Sequence, residues 1–183
     1  MHRIAHFAFG SIVVAASLAA PCRAAVIEQT PSGFAIQQKL HIAAPADKVY
    51  AALLVPAKWW NSDHTYSNDA ANLTLEARAG GCFCEQLPGG GSVQHATVWT
   101  LMPGVMLRLR GPLGPFQGQG VDAALTFTLK AAGDGTDLTL DNLVGGYMKG
   151  GFGNWPAAAD GMLAGTMARL KMYIETGSPD TRP

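Results

Sequence analysis

Gly80-Gly81-Cys82-Phe83-Cys84-Glu85-Gln86, then Pro88-Gly89-Gly90-Gly91, then Val93-Gln94-His95-Ala96-Thr97-Val98-Trp99 reads as two strands joined by a glycine-rich turn. Side chains alternate along a strand, so the turn sets which residues share a face. With the turn at Pro88–Gly91, Gln86 stands opposite Val93, Cys84 opposite His95 and Cys82 opposite Thr97. Parity then collects Cys82, Cys84, His95, Thr97 and Trp99 on one face, which Val93 and Leu101 mark as the inner one. Phe83, Glu85 and Gln94 fall outside. A one-residue slip would reverse the matching. Reactive and polar groups inside an apolar shell point to a small-molecule pocket.

Working outward, the same alternation recurs. Phe34, Ile36, Leu40 and Ile42 make an apolar strand face that Gln38 interrupts, with His41 on the solvated side. Pro45 and Asp47 open a short helix through Leu54, and a second short helix holds Lys58, Trp59 and Trp60. The polar stretch from Asn61 to Asn72, with Asp63, His64 and Tyr66, is a long loop of the kind that borders binding sites. Strands follow around Leu73–Ala77, 81–87, 92–102 and Val105–Leu109. After a Gly/Pro-rich loop from Gly111 to Gly120 come Val121–Leu129 and Leu138–Val144. The last element is a long helix, with Asn154 at its cap, Pro156 in its first turn and Gly177 at its end. Ala159, Met162, Leu163, Thr166, Leu170, Tyr173 and Ile174 recur on it at helical spacing.

This order predicts an α+β domain: a curved antiparallel β-sheet wrapped around one long C-terminal helix, with two short helices after the first strand. The domain spans 34–177. Residues 25–33 form a flexible lead-in and 178–183 a C-terminal tail. Residues 1–24 read as a signal peptide, with a basic start, an apolar run from Phe7 to Ala20 and small residues at Cys22-Arg23-Ala24. Cleavage after Ala24 makes the protein periplasmic or secreted and not membrane-spanning once processed. A lipoprotein signal ending at Cys22 is the rival, though Pro21 stands where such signals place Gly or Ala.

The chain carries 13 basic and 13 acidic side chains, and only 14% of its residues are charged. No basic patch stands out, which argues against a nucleic-acid partner. Beyond Cys22 the cysteines are Cys82 and Cys84. Two residues apart on an extended strand, their Cβ atoms stand too far apart for an unstrained disulfide. We expect reduced, inward-facing thiols that bind no metal, and no cofactor. A metal or redox role with His95 is the alternative, with His64 or Asp63 as a further ligand.

The element order, together with Ile42-Ala43-Ala44-Pro45-Ala46-Asp47-Lys48-Val49-Tyr50, Lys58-Trp59-Trp60, Gly80-Gly81-Cys82-Phe83-Cys84-Glu85 and Arg169-Leu170-Lys171-Met172-Tyr173-Ile174-Glu175, resembles the helix-grip, START-like superfamily. That superfamily includes Bet v-type allergens, polyketide cyclases and AHSA-type chaperone activators, and the GG-x-F-x-E pattern is most like the AHSA-type branch. The resemblance implies a fold and a cavity; it does not fix an activity.

Three functions are carried forward. The first is binding of a small hydrophobic or aromatic molecule between sheet and C-terminal helix. Its site would draw on Gln38, Trp60, His64, Cys84, Gln86, His95, Trp99, Asn142 and Trp155. Interior amides such as Gln38, Gln86 and Asn142 each cost about 1–3 kcal/mol if left unpaired, which favours water, ligand or mutual pairing. The second is a cyclase- or hydrolase-type enzyme with His95 as general base. The third is a protein-interaction module using the outer sheet face or the Trp59-Trp60 segment.

Overall fold

The structure is a computed structural model that describes residues 23–180. Residues 1–22 of the proposed signal peptide lie outside the described residues, and the proposed cleavage point after Ala24 falls within β1 (Arg23–Thr30). Eight strands form one antiparallel sheet: β1 (Arg23–Thr30), β2 (Gly33–Ile42), β3 (Leu73–Leu75), β4 (Cys82–Gln86), β5 (Ser92–Met102), β6 (Met106–Arg110), β7 (Gly120–Ala132) and β8 (Gly135–Tyr147). Their spatial order is β1-β2-β8-β7-β6-β5-β4-β3. Helix α1 (Ala46–Leu53) follows β2, and helix α2 (Trp155–Thr176) closes the fold. This is the α+β helix-grip architecture, a curved sheet around a long C-terminal helix.

The strands form where the alternation places them. Val121, Ala123, Leu125, Phe127 and Leu129 on β7 are buried, as are Leu138, Leu140, Asn142 and Val144 on β8. Helix α2 packs on β1, β2 and α1 and buries Ala159, Leu163, Thr166, Met167 and Leu170. Each fully buried Leu or Met contributes about 1.5–3 kcal/mol from burial. Gly177, at φ 81°, ends α2 in the left-handed conformation and donates its N–H to the Tyr173 carbonyl. Asn154 precedes α2 without capping it through its side chain. Arg169 fixes the helix to the Trp59-Trp60 corner, its Nε donating to the Trp59 carbonyl at 3.0 Å.

Two expectations are corrected. Residues 25–33, expected as a flexible lead-in, belong to edge strand β1 and its turn into β2. Ala25, Val26 and Gln29 pair with Gln37, Ile36 and Phe34, so their backbone has a ladder to join. The second short helix is a single 3-10 turn, Pro56–Lys58, that Trp59 ends.

The third correction decides the site. Along β4 the inward residues are Phe83 and Glu85, at 2% and 0% exposure, not the cysteines. Cys82 does pair with Thr97, but Cys84 pairs with Gln94 and Phe83 with Ala96. His95 is therefore an extra residue, a β-bulge. The bulge re-aims the chain, so His95 and Ala96 are both buried. A second irregularity, between Val98 and Thr100, leaves Trp99 on the outer face at 53% exposure. There the Arg110 guanidinium lies 4.2 Å from the centre of its ring.

Cys82 and Cys84 are joined by a disulfide, with Cα atoms 5.3 Å apart. An extended strand would separate them by about 6.6 Å. The observed 5.3 Å lies well inside the range that disulfides span. The expectation of two reduced, inward thiols is thus overturned: both are half-buried on the other face and paired with each other.

Candidate functional site

The bulge puts an imidazole beside a carboxylate. Glu85 is wholly buried, and its Oε2 lies 2.8 Å from Nε2 of His95. The same carboxylate accepts from the loop above it: Ser67 N donates to Oε1 at 2.5 Å and Tyr66 N to Oε2 at 3.1 Å. Burial works against the charged form of Glu85. The hydrogen bonds from Ser67, Tyr66 and His95 outweigh it and hold the carboxyl below its ordinary value. An ionised carboxylate only accepts, so Nε2 of His95 carries a hydrogen. In the neutral ring Nδ1 is then an acceptor.

Above this pair lies a hollow of about 480 Å³ between the sheet, α2 and two loops. The sheet supplies His95, Ala123, Asn142 and Val144 to its wall. The loop between α1 and β3 adds Trp60, Asp63, His64, Thr65 and Tyr66. The loop between β6 and β7 contributes Leu113 to Phe116, and α2 contributes Trp155, Ala158, Ala159 and Met162. The Tyr66 hydroxyl donates to the Gly114 carbonyl at 3.1 Å and lies 3.0 Å from Gln117 Oε1, joining the two loops. The wall is largely apolar and includes the rings of Trp60, Tyr66, Phe116 and Trp155: Phe116 packs edge-on to Trp155 at 5.4 Å, and Trp60 packs on Phe83 behind it at 5.5 Å.

Two polar side chains stand out in this wall. Asn142 is 7% exposed, and among the described residues its amide has no hydrogen-bond partner. Nδ1 of His95 likewise has none. Neither is sealed off, because the enclosed side-chain polar atom without a partner among the described residues is Gln38 Oε1. Both are open to whatever fills the hollow.

The sequence-derived site residues divide accordingly. Trp60, His64, His95, Asn142 and Trp155 meet at the hollow. Gln38 is buried elsewhere, its Nε2 donating to Asp160 O at 2.8 Å and Oδ1 at 2.9 Å. Cys84, Gln86 and Trp99 lie on the other face of the sheet, because β4 has the opposite parity and Trp99 sits at an irregularity of β5. The expectation that they face inward is corrected. Among the described residues no group of three or more His, Cys, Asp or Glu side chains is arranged to hold a metal.

Sequence reasoning missed Glu85, Tyr66 and Phe116 as members of the site. Glu85 carried a signal, since it ends the GG-x-F-x-E pattern and a lone acid between apolar strand residues asks for a partner. Phe116 carried one too, as the aromatic residue of a Gly/Pro-rich loop.

No protein-family profile and no curated protein matches the chain. Solved structures do. A protein of unknown function from Enterococcus faecalis, EF2215, superposes with a TM-score of 0.62 at 15% identity, over 88% of this chain and 81% of its own. The Aha1 dimer from Colwellia psychrerythraea gives 0.56 at 19% identity, over 78% of this chain and 97% of its own. CalU16 from Micromonospora echinospora gives 0.53 at 21% identity, over 82% and 78%. At these identities the likeness establishes the shared helix-grip fold. Among the described residues no helix is long and apolar enough to cross a membrane.

Proposed function

We propose that this protein binds a small hydrophobic or aromatic molecule in the hollow between the sheet and α2, and that it does so after export, in the periplasm or outside the cell. The observation that carries the binding reading is Asn142. Its amide opens into the hollow without a partner among the described residues, so a guest or water there completes its hydrogen bonds. The apolar wall favours a guest over water alone. The helix-grip fold shared with CalU16 and the Aha1 dimer supports the reading as an analogy of architecture.

Native mass spectrometry of protein purified without detergent tests it. A retained small-molecule adduct, lost in Asn142→Leu, is the expected result. An adduct-free protein that also fails to enhance the fluorescence of an apolar dye would overturn it. Cell fractionation with N-terminal sequencing tests export: the mature chain should begin at Ala25. Protein that stays cytoplasmic with residues 1–24 intact refutes that part.

The Glu85–His95 contact favours a second reading, an enzyme with His95 as general base. A carboxylate that holds one ring nitrogen fixes the tautomer and leaves the other free to take a proton. Once a guest that is converted has been found, His95→Ala should abolish its turnover while retaining its binding. Unchanged turnover removes this reading.

A further inference from the structure

The hollow offers more information than its apolar character. Its two open polar groups differ in what they can do. Nδ1 of His95, in the tautomer that Glu85 imposes, accepts a hydrogen bond and donates none. The Asn142 amide both donates and accepts. Among the described residues no lysine or arginine lines the hollow, while Asp63 does, and Glu85 stands directly behind the imidazole. An anionic guest would therefore lose its hydration without gaining a fixed cation. The walls made by Trp60, Tyr66, Phe116 and Trp155 present ring faces and edges, the surface that a flat π-system fills best.

Resting on the reading of the hollow as a binding site, we propose that it selects an uncharged aromatic molecule carrying an O–H or N–H donor, which bonds to Nδ1 of His95 while Asn142 holds a second polar group. The selection is chemical rather than steric. A guest of the same shape whose donor is methylated leaves Nδ1 desolvated and unpaired. Sites built around such a bond discriminate strongly against the analogue that lacks it.

Three probes of one ring system separate the possibilities: 2-naphthol, 2-methoxynaphthalene and 2-naphthoate, titrated calorimetrically into the wild-type protein. The expected order is 2-naphthol tightest, by roughly tenfold or more over the ether, with the carboxylate weakest; tenfold corresponds to about 1.4 kcal/mol. In His95→Phe the preference for naphthol over the ether should vanish while the ether still binds. Because that variant leaves Glu85 without its partner and risks misfolding, the nitrogen resonances of His95 in the wild type give an independent reading. Nδ1 should be the unprotonated nitrogen, and it should shift with 2-naphthol and not with the ether.

Equal affinity for naphthol and ether, tighter binding of the carboxylate, or a protonated Nδ1 in the free neutral ring would overturn this inference and leave the hollow a binding site. Failure of all three probes to bind would instead overturn the reading on which it rests, and this inference with it.

Discussion

Glu85 and His95 face each other at 2.8 Å because one residue too many has been fitted into β5. Without the bulge, strict alternation would set His95 opposite Cys84, away from the carboxylate. The bulge is thus what builds the polar floor of the hollow, and it makes the following outcomes testable.

Glu85 should tie stability to acidity. Its folded-state value is depressed, so its contribution is present above the ordinary carboxylate value and is lost as pH falls through the folded one. Chemical denaturation at a series of acidic pH values should show wild-type stability declining, and Glu85→Gln should show a shallower decline. At neutral pH the variant should be less stable by about 1.5–3 kcal/mol, the worth of hydrogen bonds to a charged group. A variant that follows the wild-type curve at every pH would refute this role.

Phe83 and Trp99 should behave opposite to the expectation from plain alternation. Phe83 is buried against Trp60 and His95, at ring distances of 5.5 and 5.2 Å, so Phe83→Ala should cost about 3–5 kcal/mol. Trp99 is exposed and engages Arg110, so Trp99→Ala should cost no more than about 1 kcal/mol. Urea titrations of the two variants decide it. A larger loss at Trp99 would restore the other parity.

Gly111 should resist substitution. Its φ is 142°, and a Cβ there would stand 2.9 Å from the His95 carbonyl oxygen and 3.0 Å from the Ala96 Cα. Gly111→Ala must push the bulge aside, with an expected loss of about 1–3 kcal/mol from backbone strain. An altered His95 imidazole resonance should accompany it. An unshifted resonance with full stability would show that the bulge does not depend on this close approach.

The disulfide should be detectable and dispensable. Thiol titration of the unfolded, unreduced protein should find neither Cys82 nor Cys84 free. The double replacement Cys82→Ser, Cys84→Ser should cost less than about 2 kcal/mol, because a loop closed over one intervening residue removes little chain entropy. Two titratable thiols would overturn the pairing.

What could be read in the chain follows from what each pattern depends on. The β7 face from Val121 to Leu129, the β8 face and the α2 stripe depend on local periodicity, and they emerged with the right residues inward. Trp60, His64, His95, Asn142 and Trp155 were named from the same reasoning and come together at the hollow. The misread residues, Cys84, Gln86 and Trp99, sit on the hairpin where parity had to be carried across a turn and two irregularities. A bulge adds a residue without leaving a composition signal, and every assignment beyond it inverts. Strand β1 was hidden for another reason. Its edge position demands little alternation, and Pro31, Ser32 and Gly33 drew attention to the turn rather than to the strand before it.

The Tyr66 hydroxyl, which spans from one rim loop to the other, bears on how long a guest would stay. Its backbone N–H is held from below by Glu85, so the segment pivots on a fixed point while only its outer contacts to Gly114 and Gln117 need to release. The single hydrogen of the hydroxyl serves one of these two acceptors at a time, an ordinary neutral hydrogen bond worth about 0.5–1.5 kcal/mol. On the proposed binding role, release of this contact would widen the rim and leave the floor intact. On that proposed role, residence time and selectivity would depend on separate parts of the molecule, and a change at Gln117 would be expected to alter the first without touching the second.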